Sequence, residues 1–278
     1  MPLLVLSRAT VAVHDEGLGA TVVLLHANPG DARDWDAVVP ALLASGRRVV
    51  RLDWPGYGDA PAPVEPTTCS AMLYARVLSE ALAHVVPAGE PVVLVGNSVG
   101  GYAALRHALH DPDSVRGLVL VSPGGFTSPT LLTRAVCRLM GSTSVARWLV
   151  GPVASVSALR RTTASRATLR RAHRLRSDPA RLQVHSAVWR SFSDPAHDLR
   201  QQVASLRVPT LLTWGRVDPV LPYWTDGRRA RRLLPGSRLV AFASGHQPHA
   251  ETPQAWLRAV LPFLDDLDAE VAPRAAAG

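Results

Sequence analysis

A serine with a glycine two positions away on either side lies in the segment Gly96-Asn97-Ser98-Val99-Gly100. The apolar run 91–95 before it predicts a buried strand, and helical spacing of apolar residues begins at Tyr102. A strand that becomes a helix within five residues holds its middle residue in a strained conformation, and flanking glycines let the two elements approach. This nucleophile elbow presents the Ser98 hydroxyl at the tip of the turn. The segment therefore predicts a nucleophile.

A serine hydroxyl is a weak nucleophile unless a base accepts its proton and a third group orients that base. Loops after later predicted strands offer both partners. Asp218 lies in a turn after the predicted strand 210–214, and His246 follows the predicted strand 238–243. The order Ser98, Asp218, His246 is the one expected when the nucleophile stands on an elbow. We predict that these three residues form a catalytic triad.

The elements that must position these residues alternate between strands and helices. Strands are predicted at 3–6, 10–14, 21–25, 48–53, 91–95, 115–121, 210–214 and 238–243. Helices are predicted at 34–44, 70–85, from Tyr102 onward, at 223–234 and at 253–267, with a frayed tail from Asp268. Such alternation predicts an α/β fold whose mostly parallel sheet is covered on both faces.

The alternation stops between residues 127 and 199, where no strand is predicted. This stretch is helical in pattern and is broken at Gly141, Gly151-Pro152, Asp178-Pro179 and Asp194-Pro195. We interpret it as a helical cap inserted after one strand. The predicted division is a core of residues 1–125 and 200–278 and a cap of residues 126–199.

The basic residues of the chain are all arginines, and they concentrate in the cap. The sequence holds 30 basic and 22 acidic side chains, a net charge of +8, and residues 126–199 carry 12 of the arginines against three aspartates. Three interpretations stay open: solvated helix faces, an anionic substrate held by Arg174, Arg176 or Arg190, and attraction to an acidic membrane surface. No nucleic-acid recognition motif accompanies the charge, so the expected partner is a small-molecule substrate.

Other features bound the class of protein. No apolar run reaches the roughly 18–20 residues that cross a bilayer. Cys69 and Cys137 stand far apart and predict no disulfide, and the first residues read as a strand and not as a signal peptide. A cytoplasmic location is expected. Trp148 and Trp189 are expected to pack the cap or to line an apolar acyl pocket.

Five segments, in order and each at the end of a predicted strand, resemble motifs of the α/β-hydrolase superfamily. They are His26–Gly30, Asp53–Gly58, Gly96–Gly100, Gly215–Pro222 and Gly245–Pro253. The resemblance covers most of the chain. It implies the α/β-hydrolase fold, an eight-stranded, mostly parallel sheet with helices on both faces and an inserted cap, and a reaction that needs neither a metal nor an organic cofactor.

The resemblance also assigns residues of the site. It selects His246, directly after a glycine, as the base and leaves His249 as a surface histidine. The backbone N–H of Val99, after the nucleophile, is one oxyanion donor, and by resemblance that of Asn28 is the second. The sequence departs from the family pattern at Ala27, where glycine is usual, and the Asn28 side chain is a further candidate for substrate contact.

Three more residues of these motifs are interpreted as structural. Asp53 holds the turn after its strand. Glu251 holds the histidine loop, which is the segment 244–251 that contains His246, and His26 fixes the oxyanion loop, which is the segment 26–30 that contains Asn28. The segment Ser122–Gly125, where some members carry the acid, has no carboxylate, which favours Asp218.

The predicted function is hydrolysis of a small carboxylic ester through an acyl-enzyme. Dehalogenase and epoxide-hydrolase activities are disfavoured, because they need a carboxylate where Ser98 stands. A carbon–carbon bond hydrolase is the alternative: Asn97, the second glycine of the elbow and the segment 122–125 resemble hydrolases of ring-fission products, although Gln247 replaces the tryptophan expected after the histidine. A non-catalytic ligand-binding member of the fold also stays open.

Overall fold

The computed structural model describes residues 2–275 and has one eight-stranded sheet. The strands are β1 (Leu3–Val5), β2 (Thr10–Glu16), β3 (Thr21–Leu25), β4 (Arg48–Asp53), β5 (Val92–Asn97), β6 (Val115–Val121), β7 (Thr210–Gly215) and β8 (Arg238–Phe242). Their spatial order is β1-β2-β4-β3-β5-β6-β7-β8. β2 pairs antiparallel with β1 and β4, and the other neighbours pair parallel. The prediction of a mostly parallel, eight-stranded sheet is confirmed.

Helices cover both faces of this sheet. They are α1 (Val39–Ala44), α2 (Ala71–Val85), α3 (Val99–His110), α4 (Leu131–Met140), α5 (Thr143–Ser157), α6 (Thr163–Leu175), α7 (Pro179–Ser191), α8 (Arg228–Leu233), α9 (Pro248–Glu251) and α10 (Pro253–Ala275). Side chains of α2, α3 and α8 belong to the apolar core on one face, and those of α1 and α10 belong to the core on the other. The central strands β3, β5 and β7 are buried throughout, which explains why their sequences are mainly apolar and contain no charged residue.

Four helices, α4 to α7, lie between β6 and β7 as a helical insert. Local sequence starts three of them, because the side chains of Thr130, Thr162 and Asp178 each accept a hydrogen bond from a backbone N–H of the first turn. The insert is consistent with the predicted cap. The boundaries 126–199 stay a prediction.

One predicted break in the insert is wrong. α5 continues through Gly151 and Pro152, whereas Gly141 does end α4 and Pro179 does open α7. A proline within a helix removes one hydrogen bond and does not always end the helix. Gly151 has a packing reason, since a Cβ there would lie 2.6 Å from Cε1 of His173 on the neighbouring α6.

Two other helices differ from the prediction in their first turns. The helix predicted at 34–44 is a 3-10 turn, Ala32–Trp35, followed by α1, which takes Pro40 into its first turn. The helix predicted at 223–234 opens with a π turn, Tyr223–Gly227, before α8. Neither change moves a residue predicted for the site.

The tail predicted from Asp268 is also wrong up to residue 275, because α10 runs to Ala275. Asp268 pairs with Arg47 at 2.6 Å and with Arg116 at 2.8 Å, which anchors this part of the helix to the core. Residues 276–278 of the predicted tail lie outside the described residues. Within residues 2–275, no helix has both the length and the apolar composition needed to cross a membrane.

Candidate functional site

Ser98 occupies the sharp turn between β5 and α3. Its backbone has φ 55° and ψ −112°, a left-handed conformation that a residue with a Cβ rarely adopts. Three backbone hydrogen bonds hold it there: the Ser98 N–H donates to Val121 O at 3.0 Å, and the Ser98 carbonyl accepts from Tyr102 and Gly124. Such strain costs about 1–3 kcal/mol and persists only where its surroundings enforce it.

The glycines of this segment are required by close backbone approach. A Cβ on Gly96 would lie 2.4 Å from the Gly100 carbonyl oxygen, and a Cβ on Gly100 would lie 2.3 Å from that of Leu25. Real Cβ atoms do not approach backbone oxygens so closely. The spacing Gly-x-Ser-x-Gly is thus what lets β5, α3 and the end of β3 meet at Ser98.

His246 and Asp218 form a buried pair in the loops after β8 and β7. His246 Nδ1 lies 2.7 Å from Asp218 Oδ2. The other oxygen, Oδ1, accepts backbone N–H bonds from Val220 at 2.9 Å and Leu221 at 3.0 Å. Because a carboxylate only accepts, the shared proton sits on Nδ1, which leaves Nε2 of a neutral imidazole free to act as a base.

Ser98 and His246 line the same cavity, so the structure brings the nucleophile and base candidates together. No hydrogen bond joins Ser98 Oγ to the imidazole within residues 2–275. Bonds of this kind are often long in an empty site and tighten when substrate binds.

The histidine loop is held by a carboxylate, as interpreted for Glu251. Glu251 Oε2 accepts from the N–H of Gly245 at 3.1 Å and from that of Arg160 at 2.8 Å, and Oε1 accepts from Gln247. Burial raises the pKa of Glu251, while these backbone donors act in the opposite sense. Arg160 precedes α6, so the bond also ties the insert to the loop.

Two further contacts hold the His246 backbone, and sequence reasoning did not identify either. Asn97 Nδ2 donates to His246 O at 3.2 Å and to Val121 O at 2.9 Å, which links the elbow to the histidine loop. The His246 N–H donates to the carbonyl of Ser157, at the end of α5, at 2.8 Å. The position of His246 therefore depends on an insert helix 89 residues earlier in the chain.

The two oxyanion candidates are the backbone N–H groups of Val99 and Asn28. Val99 is the first residue of α3, where a helix offers its N–H no acceptor. Asn28 follows β3, and residues 2–275 contain no acceptor for its N–H. Both residues line the cavity with Ser98.

His26 fixes the Asn28 loop through both ring nitrogens. The Trp54 N–H donates to Nε2 at 3.0 Å, so the proton must be on Nδ1, which donates to Ala27 O at 2.7 Å. Asp53 holds two turns, one after β3 and one after β4. Its carboxylate oxygens accept hydrogen bonds from the N–H of Ala32 at 2.7 Å and from the N–H of Asp59 at 3.0 Å.

The Asn28 side chain is engaged by the protein itself. Its Nδ2 donates to the backbone oxygen of His185 on α7 at 3.2 Å, and its Oδ1 accepts from Tyr57 and from His185 Nδ1 at 2.7 Å. Burial lowers the pKa of His185 to about 3, so this histidine is neutral. Sequence reasoning missed His185 and Tyr57, because no local pattern indicates which insert residue meets a loop 157 positions earlier.

The cavity has a volume of about 580 Å³ and is mainly apolar. The insert contributes most of its apolar side chains: Leu132, Val136, Met140, Val150, Val153, Leu169, Val188 and Trp189. Asp194 and Asp198 are the carboxylates on its wall, and no arginine of residues 2–275 lines it.

Of the substrate contacts predicted in the insert, the structure brings Trp189 to the cavity wall and leaves three arginines away from it. Arg174 is exposed, Arg176 lies 5.8 Å over the ring of Trp148, and Arg190 donates to Gly141 O. The prediction for Trp148 is wrong, because that side chain is 70% exposed and is not among the cavity residues.

The second histidine of the loop is not a surface residue. His249 is buried, stacks on Trp35 at 4.0 Å between ring centroids and meets Trp256 edge-on. Burial lowers its pKa to about 3. The prediction of a surface histidine was wrong because the two tryptophans come from distant parts of the chain.

A buried ionic junction attaches α6 to the core. Asp34 accepts from Thr168 Oγ1 at 2.8 Å and from Arg171. Arg171 Nε also lies 3.0 Å from Asp31 Oδ2. Burial raises the pKa of Asp34, while Arg171 acts against that rise.

The chain is similar to a known protein family and to named relatives. Residues 20–253 match the family model described as the alpha/beta hydrolase fold. A 2-hydroxy-6-oxononadienedioate/2-hydroxy-6-oxononatrienedioate hydrolase of Cupriavidus pinatubonensis is 30% identical over 90% of this chain and 89% of its own length. A pimeloyl-[acyl-carrier protein] methyl ester esterase of Aeromonas hydrophila is 27% identical over 92% of this chain and 99% of its own.

Among solved structures, an esterase from Thermogutta terrifontis matches with a TM-score of 0.78 at 22% identity, covering 93% of this chain and 94% of that one. This likeness concerns the fold. The match to the family model extends over most of the chain, from before β3 to the start of α10. The chain belongs to the alpha/beta hydrolase family.

Proposed function

We propose that the chain is a carboxylic-ester hydrolase that works through an acyl-enzyme on Ser98. The observation that carries the proposal is the His246–Asp218 pair, whose histidine lines one cavity with the strained Ser98 and with Val99 and Asn28, the residues that carry the two unused backbone N–H groups. This is the set of groups that acyl transfer needs: a nucleophile, a base, an orienting acid and oxyanion donors.

In the acylation half, His246 Nε2 accepts the Ser98 proton as Oγ forms a bond to the ester carbonyl carbon. The carbonyl oxygen becomes an oxyanion and accepts from the N–H groups of Val99 and Asn28. Collapse of this intermediate breaks the bond to the leaving oxygen, which takes the proton from Nε2. Asp218 stabilises the imidazolium that exists between these two proton transfers.

In the deacylation half, His246 Nε2 accepts a proton from water, and the resulting hydroxide forms a bond to the acyl carbon. The second oxyanion uses the same two N–H donors. When the intermediate collapses, Ser98 Oγ leaves with the proton from Nε2, and a carboxylic acid is released. Each half returns the histidine to its neutral form.

The cavity wall supports an uncharged, apolar acyl group. A carboxylate transferred from water into this cavity would meet no guanidinium, since no arginine of residues 2–275 lines it. Of the two wall aspartates, Asp198 already binds Arg200 with 2.9 Å contacts, and Asp194 would repel an anion. An apolar ester is therefore favoured over an anionic one.

Carbon–carbon bond hydrolysis is the second candidate. It is supported by the similarity to the Cupriavidus protein, whose name describes a dienedioate hydrolase, and by Asn97 in the elbow. Two aspartates and no arginine of residues 2–275 line the cavity, which disfavours an anionic substrate of that kind. We also infer that residues 126–199 form a cap unit over the site, because α4 to α7 supply most of its apolar wall.

A matched pair of esters tests the proposal. p-Nitrophenyl hexanoate and the mono-p-nitrophenyl ester of adipate have acyl groups of six carbons and differ by one carboxylate. We expect the hexanoate ester to be hydrolysed with at least about a tenfold higher kcat/KM. Ser98→Ala should abolish turnover of both. A preference for the charged ester would contradict the assigned substrate class.

A 2-hydroxy-6-oxo-dienoate, followed by the loss of its visible absorbance, separates the second candidate. Turnover of this compound with no turnover of the esters would replace ester hydrolysis by carbon–carbon cleavage. Tight binding of an ester without turnover would instead identify a ligand-binding member of the fold. Both results can be read from the same preparation of native protein.

A further inference from the structure

Two insert helices present an apolar surface to solvent. On α4, the exposed side chains are Leu131, Leu132, Val136 and Leu139, and on α5 they are Trp148 and Val156. We call these six residues the α4–α5 patch. Leu131 is 85% exposed and Trp148 is 70% exposed. Several large apolar side chains seldom show such exposure together on the surface of a monomeric protein. A patch of this composition indicates an interaction surface.

Along the chain, the segment that carries the patch has charge of one sign, and the exposed carboxylate on the adjoining cavity wall is Asp194, which comes from beyond that segment. Residues 125–177 contain ten arginines and no acidic residue. Arg138 on α4 and Arg147 on α5 are exposed, and neither forms an ion pair within the described part of the chain. A surface that combines exposed leucine and tryptophan with unpaired arginines is complementary to an apolar phase covered by phosphate groups.

The patch is continuous with the cavity. Leu132 and Val136 are exposed to solvent and also line the cavity that contains Ser98. An apolar molecule that leaves a bilayer at the patch would therefore reach the cavity along apolar side chains. This continuity is what a surface for delivery of substrate needs, and it is not required of a surface that serves only assembly.

We propose that the α4–α5 patch docks the protein on an anionic membrane surface, with the leucines and Trp148 among the acyl chains and the arginines at the lipid phosphates. A second copy of the chain fits the patch less well, because pairing two patches would bring two basic inserts together. The proposal concerns binding and does not depend on the reaction assigned to Ser98.

Vesicle sedimentation tests the proposal with the full chain. We expect binding to phosphatidylglycerol vesicles and weak binding to phosphatidylcholine vesicles, with the difference decreasing as salt rises. The double variant Leu131→Asp/Leu139→Asp should weaken binding at least about tenfold, and Arg138→Ser/Arg147→Ser should remove most of the preference for the anionic lipid. Neither leucine lines the cavity.

Matched control variants change exposed residues that lie outside the insert. Leu18 is 86% exposed in the turn before β3, and Arg207 is exposed before β7. Leu18→Asp and Arg207→Ser should bind vesicles as the wild type does. Ser98→Ala should also bind normally, which separates docking from catalysis.

Trp148 gives a readout that needs no destabilising change. Vesicles of phosphatidylglycerol should shift the emission of the wild type to the blue, and Trp148→Phe should lack that shift. Absence of vesicle binding, equal binding to both lipids, equal loss in the Leu18→Asp control, or a stable dimer that dissociates in the leucine double variant would each overturn the proposal.

Discussion

Replacing Asp218 by asparagine is expected to reverse the tautomer of His246. In the wild type, Asp218 Oδ1 accepts the N–H groups of Val220 and Leu221, and Oδ2 lies 2.7 Å from His246 Nδ1. In Asp218→Asn, the amide oxygen must stay on the two backbone donors, because an NH₂ group there would leave both unsatisfied. The NH₂ group then faces Nδ1 and donates to it.

A neutral imidazole ring carries one N–H proton, which is on either Nδ1 or Nε2. If Nδ1 accepts a hydrogen bond, the single proton of the neutral imidazole moves to Nε2, which then cannot accept the proton of Ser98. A triad with the wrong tautomer loses about 10⁴ in kcat. At about 1.36 kcal/mol per tenfold, this equals about 5.4 kcal/mol of transition-state stabilisation.

The assay is kcat/KM for p-nitrophenyl hexanoate, with melting temperatures measured in parallel. Asp226→Asn is the matched control, because Asp226 is an equally buried aspartate eight residues later that pairs with Arg229 and Thr127 and does not line the cavity. It should lose stability and retain kcat/KM near the wild-type value. A loss smaller than about tenfold for Asp218→Asn would refute the tautomer argument.

Three other substitutions test the surroundings of the site. Gly100→Ala should strongly reduce folded yield and activity, because its Cβ would lie 2.3 Å from a backbone oxygen; circular dichroism and the hexanoate assay measure both effects. His249→Phe should become more stable than the wild type as pH falls from about 6.5 towards 3, by about 1.4 kcal/mol per pH unit, because the pKa of His249 is lowered to about 3 in the folded state and the unfolded chain takes up the proton first. Urea unfolding at several pH values checks this, and a difference independent of pH would contradict it. Arg171→Met should lower the free energy of unfolding by about 3 kcal/mol by leaving Asp34 buried without its cation, whereas Arg170→Met, exposed on the same helix, should have little effect in the same urea titration.

What could be predicted from the sequence is what depends on short segments. The elbow is predictable because its strain, its glycines and its serine lie within six consecutive residues. The sheet is predictable because buried parallel strands leave unbroken apolar runs. Asp218 and His246 could be proposed because each follows such a run, although only the fold brings them within 2.7 Å.

What could not be predicted depends on contacts between distant segments. The bond between His185 and Asn28 and the bond from His246 to Ser157 need the register of insert helices, which no local pattern specifies. The burial of His249 could not be predicted, because it depends on Trp35 and Trp256, which come from distant segments and meet on one face of the sheet. Basic composition alone also could not show that Arg190 would turn to the Gly141 carbonyl and away from the cavity.

The most direct test of the account is to map the covalent adduct of a fluorophosphonate probe on the native protein. Ser122 provides an internal comparison, because it is the other non-glycine residue of the described chain with a positive φ and also follows a strand, although it is fully buried and Ser98 is only partly buried. We predict a single adduct on Ser98 that is absent in Ser98→Ala and forms slowly in Asp218→Asn. No adduct on Ser98 under conditions that label a known serine hydrolase, or an adduct on Ser122, would contradict the claim that Ser98 is the nucleophile.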